Sequence, residues 1–124
     1  MTADSIADDE VILRHIPGGP SWQAPPAGRI SSINFRLRPG ESGVSVSRAG
    51  MTTPDELMQR LGDPARGSKI AALTAVEIRA IGLDVVSVPL PDDSGHAEIR
   101  SAAESLGDKE TLRRLARAFR YLTS

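Results

Sequence analysis

The stretch KIAALTAVEIRAIGLDVVSVPLP, Lys69 to Pro91, carries the punctuation that decides the fold. Lys69 to Leu73 is a short apolar run of strand length. Thr74 and Glu77 stand three apart, the spacing of a capping box in which hydroxyl and carboxylate each satisfy a backbone N–H that the first helical turn leaves without a partner. Gly82 supplies the residue that tolerates a left-handed stop. The reading is therefore strand, short helix over Ala75 to Ile81, then strand over Leu83 to Leu90, closed by Pro89 and Pro91.

The same signals extend outward. Thr53, Pro54 and Glu56 repeat the capping box with a first-turn proline, which predicts a helix from Pro54 to Leu61 stopped at Gly62. Val11 to Ile16 is a β-branched run cut off by Pro17, Gly18, Gly19 and Pro20, and it reads as a strand. Between Ile30 and Leu37, Ile33, Phe35 and Leu37 alternate with Ser32, Asn34 and Arg36, the pattern of a half-buried strand. Val44 and Val46 alternate after the turn at Pro39 to Gly43, so Ile30 to Arg48 is expected to be a hairpin. His96 to Arg100 reads as a last strand. Asp108 can cap a helix over Lys109 to Leu122, with Leu112, Leu115, Ala116, Phe119 and Leu122 on one stripe. The expectation is an α+β fold: a small mixed or mainly antiparallel sheet of about five strands, two short helices, and a C-terminal amphipathic helix packed on one face.

Composition limits the function classes. A chain of 124 residues is one domain in size, able to bury roughly two thirds of its unfolded surface. Asp4, Asp8 and Asp9 make residues 1–9 an acidic, flexible segment in this reading, with a single domain over 10–124 that begins at Glu10. Aromatics are 3% of the chain, only Trp22, Phe35, Phe119 and Tyr121, so the core must be aliphatic and little surface is left to stack bases or sugars. With no cysteine, thiolate metal sites, disulfides and cysteine nucleophiles are excluded. No glycine-rich strand-to-helix loop is present, and no cofactor is expected. A start without an apolar run, and no stretch of about 18 apolar residues, predict a cytoplasmic protein without a membrane partner. The net charge of −1 speaks against a dedicated nucleic-acid binder.

Four constellations could carry chemistry. His15 and His96 could face each other across the sheet, with Asp93 and Glu98 the nearest carboxylates, but no local ligand motif surrounds them and no metal is expected. Arg14, the pair Ser31 and Ser32, and Glu98 follow in an order that resembles the nicotinamide-cofactor-binding pattern of the arginine-serine-glutamate class of ADP-ribosyltransferases. The resemblance implies that Arg14 holds a phosphate, the serine orders a pocket and Glu98 polarises a ribose for transfer. The chain departs from that pattern in its Pro/Gly loop between the first two strands and in its scarcity of aromatics for nicotinamide stacking. Arg113, Arg114, Arg117 and Arg120, with Tyr121, lie opposite the apolar stripe of the last helix and could grip phosphates or an acidic protein surface. They equally suit a solvated helix end, where cations complement the dipole. Trp22, alone in a proline-rich loop, fits a contact residue or a plug over the sheet edge.

The segments ISSINF (30–35), GVSV (43–46), LTAVEIRAIGL (73–83) and HAEI (96–99) resemble an uncharacterised family of small bacterial accessory proteins, a likeness to which no activity attaches. The leading expectation is a small non-enzymatic accessory or regulatory protein that contacts another protein, one encoded nearby, or a second copy of itself as a homodimer. Its contact surface would be the Trp22 loop, a sheet edge or the arginine face. The first alternative is a small enzyme with Arg14, His15, Ser32, His96 and Glu98 as a polar cluster on one sheet face. The second is a nucleic-acid-binding accessory protein that uses the arginine helix.

Overall fold

Six antiparallel strands form the frame of the computed structural model, which describes residues 5–17, 30–37, 39–61, 69–101 and 108–122. The strands are β1 (Val11–Ile16), β2 (Val44–Arg48), β3 (Lys69–Thr74), β4 (Asp84–Ser87), β5 (His96–Arg100) and β6 (Arg120–Tyr121). The helices are α1 (Pro54–Leu61), α2 (Ala75–Ala80) and α3 (Lys109–Ala118), and a 3-10 turn covers Ser32–Phe35. The sheet order is β4-β5-β2-β1-β3-β6. This is the expected small α+β fold, with an all-antiparallel sheet one strand larger than expected.

Both capping boxes work locally. The Glu56 N–H donates to the Thr53 hydroxyl at 3.1 Å, and the Thr74 N–H donates to Glu77 Oε1 at 2.9 Å. Gly82 at φ +94° closes α2, and the N–H of Leu83 reaches back to the Ile78 carbonyl. Because side chains alternate across a pleated strand, register divides the sheet into two faces. Ile12, Val46, Leu73, Val85, Ala97 and Ile99 point into one core with Ile78, Leu112, Leu115 and Phe35. Leu13, His15, Ser45, Ser47, His96 and Glu98 point to the other face.

Two expectations are corrected. Ile30 to Leu37 is no strand, and the hairpin it implied does not exist: β2 pairs with β1 and β5 instead. Ser31 caps the turn through its hydroxyl, which accepts from the Ile33 N–H at 3.4 Å, while Asn34 Nδ2 donates to the Ser31 carbonyl at 2.8 Å. Serine and asparagine thus give the backbone local partners that compete with a sheet ladder. The turn buries Asn34 and Phe35 together, and Phe35 stacks on Phe119 with ring centroids 5.0 Å apart.

The second correction is at the C-terminal end. α3 stops at Ala118, four residues short of the expected Leu122. Phe119 turns to extended backbone while its N–H still reaches the Leu115 carbonyl. Arg120 and Tyr121 then pair with Ala72 and Ala71, which covers part of the open edge of β3.

The acidic start touches the domain at particular points: Ile6 is 4% exposed within the main core, whereas Ser5, Ala7, Asp8 and Asp9 are exposed. The carbonyls of Asp8 and Glu10 accept from the N–H groups of Val76 and Ala75, donors at the start of α2 that have no helical partner.

Candidate functional site

Beyond the pair Leu13 and Ser47, no further register joins β1 to β2. Arg14 bridges the seam there. Its Nη1 donates to the Ser45 carbonyl at 2.6 Å and its Nη2 to the Asn34 carbonyl at 2.7 Å, which ties β1, β2 and the 3-10 turn together. Beside this seam lies a cavity of about 340 Å³, lined by Arg14, His15, Ser45, Ser47, Asp93 and His96 together with apolar residues that include Leu13 and Leu57.

Both histidines reach this cavity, from strands separated by β2. His96 Nδ1 lies 2.9 Å from the Val88 carbonyl oxygen, which can only accept, so Nδ1 carries the proton and Nε2 of the neutral ring is an acceptor. Burial, with the Arg14 charge as a second cause, lowers the His15 pKa below its ordinary value, and its Nε2 is buried without a hydrogen-bond partner. Among the described residues no three His, Asp or Glu side chains form a group able to hold a metal ion.

Two other residues of the expected polar cluster go elsewhere. Glu98 lies on the same sheet face as His96, but its Oε1 accepts from the Ser42 hydroxyl at 2.9 Å and from Arg100 Nε at 3.0 Å. Burial would raise the Glu98 pKa, yet these two hydrogen bonds outweigh it and hold the carboxyl below its usual value. Ser32 lies in the 3-10 turn and lines a different cavity, against α3. Neither of these two cavities is lined by Arg14, Ser32 and Glu98 together.

That second cavity is a groove of about 570 Å³ between the 3-10 turn and the start of α3. It is lined by Ser31, Ser32, Ile33, Arg36 and Leu37 from one side and by Lys109, Leu112 and Arg113 from the other. Ile33 is 42% exposed. On α3, Lys109, Arg113 and Arg117 stand four apart, so they share one edge of the helix, and all three are exposed. Arg114 is turned toward Glu110, 3.6 Å away. Among the described residues, Arg36, Lys109, Arg113 and Arg117 have no carboxylate partner.

The expected arginine face is thus divided. Arg113, Arg114 and Arg117 are on α3, whereas Arg120 and Tyr121 leave with β6. Tyr121 lies half-buried with the Lys69 ammonium 4.8 Å from its ring centroid, and burial raises its phenol pKa. Trp22 lies outside the described residues. Arg36, Ile33 and Lys109 were not singled out from sequence. The i, i+4 spacing of Lys109 with Arg113 was available there, but a strand reading of residues 30–37 gave no reason to bring Arg36 to the helix.

Three comparisons were made, with protein-family models, curated proteins and solved structures, and none matches this chain. No helix among the described residues is long and apolar enough to cross a membrane.

Proposed function

We propose that this chain is a small non-enzymatic binding protein that acts by contacting another protein, and that its contact surface is the basic edge of α3 with the neighbouring 3-10 turn. The observation that carries this reading is the row Lys109, Arg113 and Arg117, exposed and without a carboxylate partner among the described residues. Like charges four apart on a helix repel by a few tenths of a kcal/mol. Lys109, at the first helical position, also opposes the positive end of the helix dipole, and only Arg117 in the last turn complements it. Helix stability gives little reason for this row; an anionic partner surface does.

The test is co-purification of the chain with the products of adjacent genes. The wild-type chain retains one of them, and the variant Lys109→Gln/Arg113→Gln/Arg117→Gln loses it while its circular dichroism is unchanged. Retention by the variant, or no retained product at all, contradicts the reading.

One observation favours a second reading, a small enzyme: Arg14, His15 and His96 line one cavity. In that case His96 Nε2, with its tautomer set by Val88, is the general base. His96→Gln would then abolish turnover of whatever substrate the cavity admits and leave the adjacent-gene product bound.

A further inference from the structure

The groove beside α3 combines charge with apolar side chains, Ile33, Leu37 and Leu112. Its cations come from two separate walls, Arg36 from the 3-10 turn and Lys109 and Arg113 from the helix. An anion lying between them would be met from both sides. Ile33 and Leu37 line the same groove, and the exposure of Ile33 leaves a β-branched side chain available for contact.

We infer that this groove holds a short acidic peptide segment of the partner, with carboxylates against Arg36, Lys109 and Arg113 and one apolar side chain against Ile33 and Leu37; this rests on the binding-protein reading above. The size of the basic row agrees with such an occupant. From Lys109 to Arg117 the helix rises about 12 Å at its usual 1.5 Å per residue. An extended peptide covers that length in about four residues at roughly 3.3 Å each. Carboxylates on one side of such a segment meet the helix cations, and the alternate side chain faces the turn.

Two features favour a peptide over a nucleic acid. Among the described residues no aromatic ring lines the groove, whereas single-stranded nucleic acids gain much of their affinity by stacking bases on such rings. The apolar lining also has nothing to meet in a phosphate backbone. The two serines add hydroxyls to the lining, and the Ser32 hydroxyl has no protein partner among the described residues.

Fluorescence anisotropy on the full chain tests this with labelled peptides of about eight residues, enough to run past both ends of the basic row. One peptide alternates acidic residues with leucine, a second replaces leucine by serine, and a third replaces the acids by lysine. An oligothymidylate of equal negative charge is the fourth probe. The acidic leucine peptide is expected to bind tightest, to weaken as salt is raised, and to weaken by roughly tenfold or more in Arg36→Glu/Arg113→Glu. Ile33→Ser should remove the advantage of the leucine peptide over the serine one. Circular dichroism and thermal melting of each variant establish that it is folded.

Equal binding of acidic and basic peptides, indifference to the charge reversal in a folded variant, or tighter binding of the oligothymidylate overturns the inference. If the triple glutamine variant loses its adjacent-gene product while no acidic peptide binds the wild-type chain, the groove assignment fails and the binding-protein reading stands. If the peptides behave as expected but no protein is retained, the reading fails and the groove chemistry stands.

Discussion

Arg48 and Arg79 carry the same charge as the cations of α3 but occupy opposite situations. Arg48 is buried at the end of β2, where it forms a two-armed ion pair with Glu10, its Nη2 reaching Oε1 at 2.9 Å. Arg79 ties α2 to two other pieces of chain: it pairs with Asp84 of β4 and with Asp8 of the N-terminal segment, where its Nη2 also donates to the Ile6 carbonyl at 2.8 Å. Lys109, Arg113 and Arg117 hold nothing in place among the described residues. The difference teaches that the near-zero net charge is an average over two regions. Asp8 and Glu10 are engaged by Arg79 and Arg48, at α2 and β2, while the cations on the outer edge of α3 have no carboxylate partner among the described residues.

Mutation can break this contrast, and the largest effect is expected at Arg48. Arg48→Ala leaves the Glu10 carboxylate partly buried without its cation, a change worth about 3 kcal/mol of stability, read by denaturant unfolding. A variant as stable as wild type would remove Arg48 from the structural set. Ile6→Ala follows at about 2 kcal/mol, the usual minimum for an isoleucine lost from a core. A flexible start would instead make it silent.

Arg79→Ala should lose about 1 kcal/mol or less, because its partners are largely exposed, and the loss should shrink in high salt. The Arg79 hydrogen bond is the main cause that lowers the Asp84 pKa. A folded-state value below the unfolded one means stability that is present above about pH 4 and lost as pH falls through the lower folded value. Arg79→Ala should therefore flatten the acid limb of the melting curve.

The His15 effect is smaller and sits in another window. Its folded pKa is below its unfolded value. As pH falls below about 6.5 the unfolded chain takes up a proton that the folded chain resists, so stability declines there and is unaffected at higher pH. His15→Asn should weaken the dependence of Tm on pH between neutrality and the lower folded value. An unchanged slope would show that His15 is not the group responsible.

The contrast also shows what can be seen in a sequence. β1, α1 and β5 have the expected boundaries because each is bounded by local chemistry: a Pro/Gly stop after Ile16, a capping box at Thr53, a polar turn before His96. Residues 30–37 were misread because alternation looks the same whether a sheet or a capped 3-10 turn follows. Only the long-range stack of Phe35 on Phe119 separates the two. The end of α3 was misread for a related reason, since Phe119 continues the apolar stripe after the backbone has left the helix. The ion pairs of Glu10 and Asp8 join them to partners 38 and 71 residues away, Arg48 and Arg79, which composition cannot indicate. At the candidate site Arg113 and Arg117 are legible in the sequence, whereas Lys109 is not singled out there and Arg36 and Ile33 join the site only because their segment is a 3-10 turn and not a strand.

The central claim is that the basic row on α3 is there for a partner and not for the fold, and denaturant unfolding of Lys109→Gln/Arg113→Gln at low and high salt tests it most directly. Glutamine keeps similar length and helix propensity without the charge. The account predicts a variant as stable as wild type, or more stable by a few tenths of a kcal/mol at low salt, with the difference vanishing at high salt. A variant about 1 kcal/mol or more less stable than wild type at low salt would place these cations beside Arg48 and Arg79 as part of the fold, and would contradict the account.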